Sequence, residues 1–155
     1  MIKTIVLMIL FRLTMGSIAG CDCNWMGDFF QASKEMDFVV RAKIVERIVD
    51  ENGLYRKMKV EIEEVFKGTE NRKIIMIWGD GGADCRPYIS YFDVGERYYL
   101  ARSYIDGDYE QINCGELYLK VDDGKVWGDP SVGKELSQIS GMSETLFVKK
   151  LRAGF

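Results

Sequence analysis

The sequence contains no histidine. That absence removes the Ser–His and Cys–His pairs on which much nucleophilic catalysis depends. It also leaves a cysteine cluster without the imidazole that completes a typical zinc set. No run of lysine and arginine occurs, so nothing suggests an electrostatic membrane patch. The chain has 21 bases against 24 acids, a formal net charge of −3. A nucleic-acid binder normally shows a basic face, and this balance argues against one. There is no internal repeat and no low-complexity tract. The chain is expected to be no enzyme and to need no cofactor.

What is present is an ordinary globular composition, 47% apolar and 29% charged over 155 residues. That length suggests one domain with a real core. Residues 1–20 read as an export signal. Lys3 supplies a positive start, Ile5 to Phe11 form a seven-residue apolar core, and Gly16, Ser17, Ala19 and Gly20 are small. The run is too short to span a bilayer. Without it, residues 21–155 hold 19 bases against 24 acids, a net −5. Ile18-Ala19-Gly20-Cys21 also resembles a bacterial lipobox. Both processing routes make Cys21 the first mature residue. One leaves its amine free for a secreted protein; the other makes a lipid-anchored envelope protein.

The four cysteines, Cys21, Cys23, Cys85 and Cys114, all follow the signal. An even count in an oxidising compartment reads as two disulfides. A Cys21–Cys23 bridge would close a strained ring, so Cys21-x-Cys23 is expected to reach two distant partners. Each long closure is worth roughly 4 kcal/mol in the chain-entropy model.

After Cys23, Phe29, Phe30 and Met36 suggest a short helix or an irregular stretch. Period-two alternation then begins. Phe38, Val40, Ala42 and Ile44 share one face, with Arg41 and Lys43 opposite. Asp50 to Gly53 is a turn. A second strand runs from Tyr55 to about Phe66, with Met58, Val60 and Ile62 on one side. Lys73 to Trp78 is more uniformly apolar and is expected to be more buried. A long loop containing Cys85 follows, then strands at Arg97–Tyr104 and Tyr109–Cys114. Asp122-Asp123-Gly124 predicts a hairpin between Leu117–Val121 and Lys125–Trp127. Ser140 or Ser143 is expected to cap a last helix through Leu151. Five or more short strands and a late helix suggest an OB-type barrel or a sandwich.

Three further features have plain structural explanations. Glu63-Glu64 reads as a solvated strand face rather than an acid–base pair. Asp80 to Asp84 hints at a calcium loop but lacks EF-hand ligand spacing. Tyr88, Tyr91 and Phe92 suit either an exposed contact surface or packing on the barrel.

The ordered combination of Cys21-Asp22-Cys23, the strand Asp37 to Val45, and Tyr55 through Val65-Phe66-Lys67-Gly68 resembles the netrin-like module. It is similar to the inhibitory domain of tissue inhibitors of metalloproteinases over about residues 21–122. Cys85 lies 64 residues past Cys21, and Cys114 lies 91 past Cys23, offsets similar to those of the family. The resemblance implies a five-stranded, closed OB-type barrel; with the residue patterns above, the expected fold is mainly β with a short N-terminal helical segment and a C-terminal helix. It implies Cys21–Cys85 and Cys23–Cys114 bridges. The domain would occupy 21–129, with 130–155 as a tail carrying a short helix.

The resemblance also implies a function. The Cys21 amine and carbonyl would chelate the zinc of a partner metalloprotease, which keeps one coordination position open. Asp22, Cys23 and Asn24 would line the contact, with Ala83, Asp84 and Arg86 supporting it. This chain departs from the family in three ways. Gln31-Ala32-Ser33 stands where a third disulfide begins. No counterpart of the second domain of the animal inhibitors is expected within residues 130–155. Asp22 replaces a threonine or serine and suits only a basic S1′ pocket, because a buried unpaired carboxylate is costly. The alternatives are a non-inhibitory extracellular binding module or the lipid-anchored form.

Overall fold

The computed structural model describes residues 24–80, 86–105, 107–110, 112, 114–128 and 139–155. Its core is a closed barrel of β1 (Phe38–Val49), β2 (Tyr55–Lys67), β3 (Ile74–Trp78), β4 (Arg97–Ile105) and β5 (Asp108–Glu110). Around the barrel the order is β1-β2-β3-β5-β4, and β4 pairs back onto β1. All pairings are antiparallel except β3 with β5. This is the OB-type arrangement the sequence reading expects, and closure leaves few free edges.

The alternation explains the barrel interior. Phe38, Val40, Ala42 and Ile44 of β1 meet Met58 and Val60 of β2, Ile75 and Ile77 of β3, and Tyr98 and Leu100 of β4. A register shift between Ile44 and Glu46 leaves Val45 unpaired and exposed, a bulge that re-aims the end of β1. The backbone of Ile44 there bonds to Gly95 and Glu96. A 3₁₀ turn, Ile89–Tyr91, adds buried Ile89 and the following Phe92 to the same core.

Strands β1 and β4 are buried on both faces. Val39, Tyr99 and Ala101 point outward into a second core, with Phe29, Leu119, Val126, Phe147 and Leu151. Helix α1 (Phe29–Glu35) starts where the Asp28 side chain accepts from the Gln31 N–H, and it buries Phe29 and Ala32. Helix α2 (Glu144–Ala153) starts at Ser143, whose hydroxyl accepts from the Leu146 N–H. Its i, i+4 pair Phe147 and Leu151 packs inward. The hairpin β6 (Tyr118–Asp122) and β7 (Lys125–Trp127) extends the sheet from β4, and the two-residue β8 (Met142–Ser143) pairs with β7. Asp123 at φ 47° and Gly124 at φ 67° make the expected turn.

Several expectations are corrected. The segment 74–78 alternates rather than being uniformly buried: Ile74 is exposed while Ile75 and Ile77 are interior. Met76 and Trp78 on its other face are only half-buried, whereas Val39 on the outer face of β1 is fully buried. The fifth strand is only Asp108–Glu110, shorter than the apolar pattern suggests. Among the described residues, no helix is long and apolar enough to cross a membrane.

Candidate partner-facing ridge

Of the residues expected to form a functional ridge, Cys21, Asp22, Cys23, Ala83, Asp84 and Cys85 lie outside the described residues. Asn24, Arg86 and Cys114 can be placed. Cys114 is disulfide-bonded. Asn24 and Trp25 are exposed, on an irregular segment leading into α1.

That segment is strapped to the chain around Cys114. The Met26 N–H donates to the Cys114 carbonyl at 2.7 Å, and the Glu116 N–H donates to the Gly27 carbonyl at 3.1 Å. The Phe29 N–H donates to the Glu116 Oε2 at 3.3 Å. Glu116 is buried, so its carboxylate sits at the first turn of α1 in a low-dielectric setting. A negative group is favoured at that helix end by the orphan N–H groups and the dipole. Between them, Gly115 allows close approach: a Cβ there would lie 3.0 Å from the Ala32 Cβ and 3.2 Å from the Met26 Cβ.

Arg86 joins the same region from another direction. Its guanidinium donates to the Glu110 Oε2 at 3.0 Å, with both side chains about one-fifth exposed. Glu110 ends β5, and the chain then runs on to Cys114. The fold therefore gathers the segment after Cys23 and the end of the Cys85 loop around residues 110–116. Sequence reasoning did not find Glu116, Gly115 or Trp25. The signals available were an acid and a glycine directly after Cys114, and an aromatic directly after Asn24.

The other features resolve separately. Glu63 pairs with Arg41 and Arg97, and Glu64 pairs with Arg41 and Arg152, so both carboxylates belong to an ion-pair network. Phe92 is core, whereas Tyr88 and Tyr91 are half exposed and meet edge-on at 5.5 Å. Asp84 of the acidic loop lies outside the described residues. Among the described residues, no group of three His, Cys, Asp or Glu side chains could hold a metal ion. Protein-family models give no match to this chain, and neither do curated proteins.

Proposed function

We propose that the protein is an exported netrin-like binding module that presents its mature N-terminal segment, from Cys21 through Asn24, to a protein partner. The partner class whose chemistry fits that segment is a zinc metalloprotease. The observation that carries the reading is the strap on the segment after Cys23, in which the Met26 N–H bonds to the carbonyl of disulfide-bonded Cys114 at 2.7 Å. A Cys23–Cys114 bridge would be a covalent extension of that contact.

In this reading Cys21 begins the mature chain and pairs with Cys85. Its α-amine, with a pKa of ~8, is partly neutral near pH 7 and can donate its lone pair to zinc. The adjacent carbonyl supplies the second ligand at the open coordination position of the protease. Two such bridges, with the strap, would hold these atoms in place before binding, which would lower the ordering cost of association. Asp22 would enter the S1′ pocket and selects a protease whose pocket carries a lysine or arginine. The contact from Ala83, Asp84 and Arg86 would flank it, with Arg86 positioned by Glu110.

The test begins with the intact mass of the exported protein under non-reducing conditions. A chain starting at Cys21 with two bridges and an unmodified amine is expected. It is then assayed against zinc metalloproteases with apolar and with basic S1′ pockets. Inhibition is expected in the basic group, and one added residue before Cys21 should abolish it. Retained potency after that extension would eliminate chelation. An acylated Cys21 would replace this reading with the lipid-anchored one.

A further inference from the structure

A second feature lies apart from the ridge and does not depend on it. At the C-terminal ends of α1 and α2 is a cleft of about 280 Å³. Phe30, Leu151 and Phe155 make its walls apolar; Ser33, Lys34 and Lys150 also line it. Ser33 is fully buried, and its hydroxyl has no hydrogen-bond partner among the described residues. The Lys67 ammonium stands close by. It donates to the Lys34 carbonyl at 2.5 Å and lies 5.6 Å from the centre of the Phe155 ring.

The charge around this cleft opposes that of the whole chain. Lys34 and Lys150 line the cleft, and the Lys67 ammonium stands beside Lys34. Lys149 and Arg152 line a separate cleft with Glu64 and Glu144. An acidic protein thus carries a cationic edge on an apolar cleft. The cleft lies at the small end of ligand pockets, which run roughly 300–1,000 Å³. That size suits one unbranched chain.

We propose that this cleft binds a single-chain anionic amphiphile of the fatty-carboxylate class. The alkyl chain lies between Phe30, Leu151 and Phe155. The head group meets the ammonium groups of Lys34 and Lys150. Binding covers Phe155, which is otherwise 46% exposed.

The experiment uses the full mature protein with its disulfides intact, titrated calorimetrically with laurate below its micelle concentration. Saturable one-to-one binding is expected. Dodecanol and dodecyltrimethylammonium should bind weakly or not at all, and inorganic phosphate alone should not bind. The double variant Lys34→Glu/Lys150→Glu should weaken laurate by about tenfold, the scale of two exposed charge contacts reversed. Both lysines are exposed, so its melting temperature should stay near that of the parent. If the double variant is misfolded, Lys150→Gln alone gives the same readout at smaller size. No laurate binding, equal binding of the three amphiphiles, or indifference to charge reversal would each overturn the proposal. So would binding only to phosphatidylglycerol vesicles, which would assign the patch to a membrane surface, or dimerisation that occludes the cleft.

Discussion

The guanidinium of Arg102 donates to the Leu117 carbonyl at 2.9 Å from a position with no solvent exposure. The same nitrogen reaches the Ala101 carbonyl at 2.6 Å, while Nε and the second terminal nitrogen have no hydrogen-bond partner among the described residues. Burial pushes the group down to about 9, so it remains a cation at neutral pH. The Leu117 carbonyl has a second donor in the Ala101 N–H at 2.9 Å. It is therefore not orphaned if Arg102 is removed. Replacing a buried charge by an apolar side chain of similar length is often neutral or stabilising. Arg102→Met is expected to leave stability unchanged or raise it by up to about 2 kcal/mol in urea denaturation. A loss larger than that would mean that the charge has a partner of structural weight.

Helix α2 is held by its N-terminal carboxylate as well as by its apolar face. The Tyr99 hydroxyl donates to the Glu144 Oε1 at 2.8 Å, and Arg41 donates to the same oxygen at 3.2 Å. Desolvation, together with the bond to Glu144, pushes the Tyr99 phenol well above its ordinary range. The ring also packs on Phe147 at 4.5 Å. Tyr99→Phe keeps that ring contact and should cost about 1 kcal/mol, the net worth of one hydrogen bond. Phe147→Ala removes a fully buried ring that also contacts Phe29 and Phe30, and should cost about 3–5 kcal/mol. Chemical denaturation of both variants tests the ranking. A larger loss from the hydroxyl than from the ring would reverse the account of what docks the helix.

How much of this was legible follows from what periodicity can encode. Alternation in Phe38–Ile44 and Met58–Val60 marks one buried face, and the barrel interior uses those residues. It does not report a second layer. Arg41 reads as a solvent-side residue, yet α2 arrives over that face and draws it into pairs with Glu63, Glu64 and Glu144. Val39 and Ala101 become core for the same reason. Arg102 reads as one more polar residue in the Arg97–Tyr104 pattern, because its burial depends on residues 15 positions later. On the ridge, the Glu116 contact with α1 spans 87 residues. No local pattern carries it.

The turn after β2 depends on one residue. Gly68 has φ +85°, and a Cβ there would lie 2.6 Å from the Asp37 carbonyl oxygen and 3.0 Å from the Phe38 ring. The first contact is with backbone, which cannot move away cheaply. Gly68→Ala therefore combines an unfavourable left-handed conformation with a clash at the start of β1. A loss of about 2 kcal/mol or more is expected, above the ~1 kcal/mol that a left-handed alanine alone costs. Tolerance of Ala at this site in a thermal melt would show that the turn can relax away from β1.

Glu70 supplies a pH signature. Its carboxylate accepts from Arg72 through both oxygens and from the Tyr109 hydroxyl at 2.9 Å. The Arg72 guanidinium, then the Arg72 N–H and Tyr109, bring it from the ordinary 4.5 down to about 2. Tyr109 is in turn pushed up to about 12, first by desolvation and then by Glu70. A carboxylate lowered in the folded state is deprotonated there while the unfolded chain still binds a proton. Its stabilisation is therefore complete above pH 4.5 and is lost as pH falls towards 2. Glu70→Gln should be less stable than the parent at pH 6 and should lose less stability between pH 5 and 2.5. Denaturant midpoints across that window measure the difference directly. Parallel pH profiles for the two proteins would mean that the Glu70–Arg72 pair is no stronger in the folded chain than in the unfolded one.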